Sequence, residues 1–142
     1  MSTLNADLRA GAVGLLKDYA SAAHVKLATS PGRPGLMDVL PRAFVDTMSS
    51  RIAYDGLMRQ TPTAIVLVVW GLFDSAMAVK QRDAFVDGFI DWWADNKDAA
   101  GPNTVSGVTS IEDLPAYVPD WIRGGDQTAY FATAFTVEGY GE

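Results

Sequence analysis

The stretch Thr63-Ala64-Ile65-Val66-Leu67-Val68-Val69-Trp70-Gly71 decides the fold. From Ala64 to Trp70 no polar residue alternates with the apolar ones, and a strand of that kind must be covered on both faces, so it belongs in the middle of a sheet. Thr61-Pro62 precedes it. Proline is tolerated at a strand's first position, so the strand is expected to open at about Thr63 and to end at Gly71.

Outward from this strand, helices are marked by period. Phe85, Val86, Phe89, Ile90 and Trp93 project to one side of a helix at about 100° per residue, with Asp74 or Ser75 able to cap its first turn. Asp83, Asp87, Asp91 and Asp95 follow at four-residue spacing on the other side, where like charges repel by roughly a few tenths of a kcal/mol per pair. Either water solvates that face or a basic partner meets it. Trp92 stands between the two sides, at the edge of the core or as an anchor between subunits. Upstream, Leu4, Leu8, Ala12, Leu15, Leu16, Tyr19 and Ala23 draw the stripe of a first helix, weakened by Gly11 and Gly14.

The remaining segments are shorter. Pro31-Gly32-Arg33-Pro34-Gly35 reads as a loop. Phe44, Met48, Ile52 and Tyr54 occupy even positions, which predicts an extended or hairpin segment with one inward face, followed by a turn at Asp55-Gly56. After Gly101-Pro102, Thr104 to Ile111 suggests a short strand interrupted at Gly107. Prolines make Leu114 to Asp120 irregular, with Trp121 pinning that loop. Phe131, Phe135 and Val137 alternate with smaller residues in a terminal strand, and Gly139 to Glu142 reads as a frayed tail.

Composition narrows the function. At 142 residues and 49% hydrophobic content the chain suits one domain, residues 1–142, with one sizeable core. A net charge of −6 with scattered basic residues argues against a nucleic-acid-binding surface and suits a solubility role. With no cysteine, disulfides, thiolate metal sites and cysteine nucleophiles are excluded. The start, Met1 to Asp7, lacks the basic and apolar regions of a secretory leader, and the apolar run from Ala64 to Phe73 is about half of what a membrane-spanning helix needs, so neither is expected.

No chemistry assembles. His24, the single histidine, has no partner at ligand spacing and reads as a surface or capping residue. Carboxylates that can be placed on an element lie on an exposed helix side, where nothing perturbs a pKa. Gly124-Gly125-Asp126 and Gly11-Ala12-Val13-Gly14 are wrongly placed for a phosphate loop. The residues imply no enzyme, cofactor or metal.

Order and pattern go further. Leu40-Pro41-Arg42-Ala43-Phe44-Val45-Asp46, Thr61-Pro62 with Ala64 to Val69, Arg82-Asp83-Ala84-Phe85-Val86-Asp87-Gly88-Phe89 and the closing Tyr130 to Val137 together resemble the tail terminator proteins of long-tailed bacteriophages. That resemblance spans most of the chain. It implies an α+β fold, a mostly antiparallel twisted sheet packed against an N-terminal helix and a second amphipathic helix. It implies a structural virion protein, made in the host bacterial cytoplasm and placed at the head–tail interface. There a homo-hexameric ring caps the tail tube, stops tube-protein polymerisation and joins head-completion proteins, while genomic DNA only passes through the lumen.

A ring built from unlike patches needs two complementary surfaces per protomer. The aspartate face of the second helix with Trp92, and Arg33, Arg42, Arg51 and Arg59 before the central strand, are the candidates. Pro31 to Leu40 and Ala100 to Val105 have the composition of loops that contact neighbours. Two rivals remain: a head–tail connector or stopper (neck) protein, and a cone-shaped pocket module of the nuclear-transport-factor-like type. The latter would bind or isomerise a small apolar molecule among Tyr54, Trp70, Phe73 and Phe135.

Overall fold

The computed structural model describes residues 4–54, 56–97, 104–122 and 128–140. Asp55, Gly101-Pro102 and the rest of 98–103, Gly124-Gly125-Asp126 and the ends at 1–3 and 141–142 lie outside the described residues. Helix α1 (Leu4–Ala22) is followed by strands β1 (Ala28–Ser30), β2 (Arg42–Tyr54) and β3 (Met58–Leu72). Helix α2 (Ala76–Asp95) and strands β4 (Val105–Tyr117) and β5 (Tyr130–Gly139) complete the chain. The five strands stand in the order β1-β2-β3-β5-β4, so the apolar strand is central, as its composition requires. Among the described residues only the short β1–β2 pair is parallel, and the other three pairs are antiparallel. The fold is α+β.

Both helices cover the same face of the sheet. Ala64, Val66, Val68 and Trp70 of β3 and Phe131, Phe135 and Val137 of β5 share one core cluster with Leu8, Ala12, Leu15, Leu16 and Tyr19 of α1 and Phe85 and Phe89 of α2. Each fully buried phenylalanine there contributes about 1.5–3 kcal/mol relative to exposure. On the opposite face Phe44, Leu67, Val69 and Ala132 form a second cluster, roofed by Met37 and Leu40 of the 31–41 loop and by Trp121. A loop, not a helix, supplies the second cover that the apolar strand demands.

The helices are held together by a close approach. Gly88 of α2 faces Tyr19 of α1 so tightly that a Cβ at position 88 would lie 2.5 Å from the tyrosine hydroxyl oxygen. That hydroxyl donates to the Phe85 carbonyl at 2.8 Å, and the ring stands edge-on to Phe85 and Phe89 at 4.7 and 5.3 Å. α2 begins where its composition allows: Ser75 is the cap, its side chain accepting from the Ala78 amide at 3.2 Å.

Four strand expectations need correction. β3 opens at Met58 rather than Thr63, because β2 pairs with it from Tyr54↔Met58 onward and carries the ladder past Pro62. It ends at Leu72, one residue beyond Gly71. The even positions of β2 do not share one inward face. A bulge leaves Asp46 without a partner between Val45↔Val66 and Thr47↔Ile65, which sends Phe44 to the loop-covered face and Met48 to the helix-covered face. Finally, Leu114 to Tyr117 belong to β4. Pro115 is accommodated because β4 is an edge strand and its ladder is irregular between Leu114 and Tyr117.

Candidate interaction surface

α2 presents its acids to solvent. Taking Ile90 as zero, Asp83, Asp87, Asp91 and Asp95 fall at about 20°, 60°, 100° and 140° around the helix, whereas Phe85 and Phe89 fall on the other side. All four aspartates are exposed. Arg82 donates to Asp83 at 3.1 Å; among the described residues no ion pair reaches Asp87, Asp91 or Asp95. From Asp83 to Asp95 there are four aspartates and no Lys or Arg. Asp87 lies close enough to Tyr19 to add to burial in raising that phenol's pKa. Trp92 is half-buried against Tyr19 and Phe89, with ring centroids 5.3 and 6.3 Å apart, which makes it the edge of the core. Ile90, expected inward, is exposed, because the core direction runs through Phe85 and Phe89 and Ile90 sits about 100° from the latter.

The four arginines do not form one patch. Arg33 donates from Nε to Asp46 at 2.9 Å and lies 4.7 Å over the Trp121 ring. The Asp46 bond, opposed by partial burial, holds its guanidinium pKa above the ordinary value. Arg42 donates to Ser30 Oγ at 2.6 Å and to the Val39 carbonyl at 3.3 Å, tying the loop to the first strands. Arg51 and Arg59 lie toward the far end of β2–β3, nine residues or about 30 Å along the strand from Arg42. Arg51 pairs with Glu138 at 3.7 Å. Arg59 stands opposite Ala53, which puts both arginines on one face of the hairpin.

Trp121, expected to pin a loop from Leu114 to Asp120, instead ties the residues after β4 to the 31–41 loop and to β2. Its indole donates to the Pro34 carbonyl at 3.0 Å, and its ring meets Phe44 and Tyr117 at 5.8 and 5.9 Å. Tyr117 is thereby enclosed; burial first, then the Asp46 and Asp120 carboxylates, push its pKa far above the ordinary value against the opposing Arg33 charge.

Two features escaped sequence reasoning. One is a polar chain through the covered face: the Trp70 indole donates to Thr133 Oγ1 at 3.0 Å, and that hydroxyl donates to Asp113 Oδ1 at 2.9 Å. The same carboxylate accepts from Arg82 Nε at 2.9 Å. It links β3, β5, β4 and α2. Burial works against the Arg82 charge, but its bonds to Asp113 and Asp83 prevail and its pKa is raised. The other is the reach of the β2–β3 hairpin. β5 pairs with β3 only as far as Thr63, so the ribbon from about Ser50 to Thr61 projects beyond the sheet, turning at Gly56 with φ of 99°. It carries exposed Ile52, Tyr54, Leu57 and Met58. The Ile52 and Tyr54 spacing announced a strand; nothing local announced that its end would lie outside the core.

The aromatics of the pocket alternative do not converge. Trp70 and Phe135 are buried in the core, whereas Tyr54 and Phe73 are exposed. His24 is exposed just after α1, in a left-handed conformation with φ of 58°, at the lip of a cleft of about 510 Å³ beside Lys26, Pro41 and Phe85. Among the described residues no cluster of His, Asp or Glu has metal-binding geometry, and no helix is long and apolar enough to cross a membrane.

The fold and its surface define an α+β domain with helices on one sheet face, an acidic helix side and a projecting hairpin. Comparison with protein-family models and with curated proteins finds no match.

Proposed function

We propose that the protein is a structural virion component of the tail terminator type. It would form a homo-hexameric ring at the head-proximal end of a phage tail tube, stopping tube polymerisation and joining the tail to head-completion proteins. Support comes from the sequence resemblance together with an α+β architecture of the kind that resemblance implies. The observation that carries the reading is the solvent-facing aspartate side of α2, a charged surface backed by the buried Phe85 and Phe89 and left without basic partners at Asp87, Asp91 and Asp95 among the described residues. Such a side is free to meet another copy or a tail protein, and an acidic ring lumen would let DNA pass without adhering.

The test is assembly. Native mass and electron microscopy should give a six-membered ring with a central hole, and the added protein should stop tail-tube growth in vitro and sit at one tube end. Binding to the portal side of the neck with no effect on tube growth would identify the stopper reading instead. Turnover of a small apolar molecule by a monomer would refute both.

A further inference from the structure

The two helices meet at Tyr19 and Gly88, but α1 ends at Ala22 and the chain passes on to β1. A cleft of about 510 Å³ opens there, between residues 23–26, Leu40-Pro41 and the α2 residues Gln81, Ala84 and Phe85. That volume lies within the roughly 300–1,000 Å³ range of small-molecule sites. Its walls are fixed by the fold. The Val25 amide donates to the Ala20 carbonyl at 2.8 Å, the Ala28 amide to the Pro41 carbonyl at 3.0 Å, and the Tyr19 hydroxyl to the Phe85 carbonyl at 2.8 Å.

We infer that this cleft binds a small amphipathic carboxylate, its apolar body against Val25, Pro41 and Phe85 and its carboxylate on Lys26. Three observations carry it. The lining is chemically divided: Val25, Pro41 and Phe85 are apolar, whereas His24, Lys26 and Gln81 supply hydrogen-bond donors. Its charge is also selective. Acids outnumber bases 17 to 11 in the chain, yet among the described residues no acid lines the cleft and no carboxylate pairs with Lys26. An unpaired ammonium beside apolar walls favours an anion with an apolar body over a cation or a neutral molecule. The third observation is the backbone of His24. It closes α1 in the left-handed conformation, φ 58°, its amide donating to the Ser21 carbonyl at 3.2 Å, at a position where glycine is favoured because a Cβ crowds the chain. An imidazole kept at the cleft mouth against that conformational cost is the sign of a side chain retained for contact. The inference does not depend on ring formation, and it uses none of the residues of the cone-shaped pocket alternative.

The probe is octanoate, with 1-octanol as its uncharged match, titrated into the full chain and followed by backbone amide NMR. Octanoate should saturate a single site and shift the amides of Val25, Lys26 and Ala84, while 1-octanol should bind about tenfold more weakly for want of one charge-assisted hydrogen bond. Lys26→Gln should weaken octanoate by about the same factor and leave 1-octanol unchanged, and Lys26→Arg should restore octanoate. Ala84 is exposed on α2, so Ala84→Phe should fold normally, as the dispersion of the amide spectrum checks, and should block both molecules by filling the cleft. His24→Gly should raise the thermal midpoint, because glycine suits that backbone, and weaken octanoate. The inference is overturned if octanoate gives no saturable shift in those amides, or if its shifts spread over the surface without saturating. Equal binding of octanoate and 1-octanol, or octanoate affinity unchanged by Lys26→Gln, overturns it as well.

Discussion

Gly88→Ala should change the sign of its effect with the residue at position 19. In a solvated helix the substitution gains about 1 kcal/mol of propensity. Here the new Cβ would stand 2.5 Å from the Tyr19 hydroxyl oxygen, and the ring carbon behind it at 3.6 Å is already at ordinary contact distance. The phenol must therefore move, losing its bond to the Phe85 carbonyl, about 1 kcal/mol net, and disturbing edge-on contacts with Phe85 and Phe89. Overpacking of this kind adds about 1–3 kcal/mol, so Gly88→Ala alone should destabilise by about 1–3 kcal/mol. Tyr19→Phe alone should cost about 1 kcal/mol through the lost hydrogen bond. In the double variant the obstructing oxygen is gone, the propensity gain returns, and the total should lie near zero. The coupling, roughly 2–4 kcal/mol, is large for a double-mutant cycle. Urea unfolding followed by tryptophan fluorescence measures it, with unchanged m-values as the check on two-state behaviour. If Gly88→Ala destabilises equally in both backgrounds, the hydroxyl is not the obstruction and the helix-contact argument fails.

Asp113→Ala should cost about 1–3 kcal/mol, seen as a lower thermal midpoint, because it strands the buried Thr133 hydroxyl and the Arg82 Nε donor; Asp113→Asn, which keeps the shape, should cost less. Trp121→Phe should keep most of the packing on Phe44 but lose the bond to the Pro34 carbonyl, so limited proteolysis should cut the 31–41 loop faster while global stability falls by only about 1 kcal/mol. Tyr117 and Tyr19 hold their protons in the folded state beyond the ordinary tyrosine pKa of about 10, so the stability they confer is complete below that pH and lost as pH rises above it. Tyr117→Phe should flatten that alkaline decline. Asp87→Lys with Asp91→Lys should weaken ring formation in native mass measurements while leaving the thermal midpoint within about 0.5 kcal/mol equivalent, as befits exposed sites.

The candidate surface was only partly legible in the sequence. Four-residue spacing placed Asp83 to Asp95 on one helix side, because helical period is a local property. It said nothing of Arg33 and Arg42, whose guanidinium groups are engaged by Asp46, Ser30 and the Val39 carbonyl, partners set by how the loop crosses the first strands. Nor did it show that Asp113 lies against Arg82 and Thr133, thirty-one and twenty residues away in the chain.

The chain's own pattern determined that Ala64 to Trp70 is a central strand and that α1 and α2 each have one apolar stripe, since an unbroken apolar run must be covered twice and a 3.6-residue period has one inward side. Tertiary structure alone decided which cover each face receives and where the strands reach. One unpaired residue, Asp46, exchanges the faces of β2. Pairing with β2 carries β3 past Pro62, and β5 stops short at Thr63, which leaves Ile52, Tyr54, Leu57 and Met58 outside the core. A strand's alternation is written residue by residue, but its register and length depend on partners distant in sequence, and no local period encodes them.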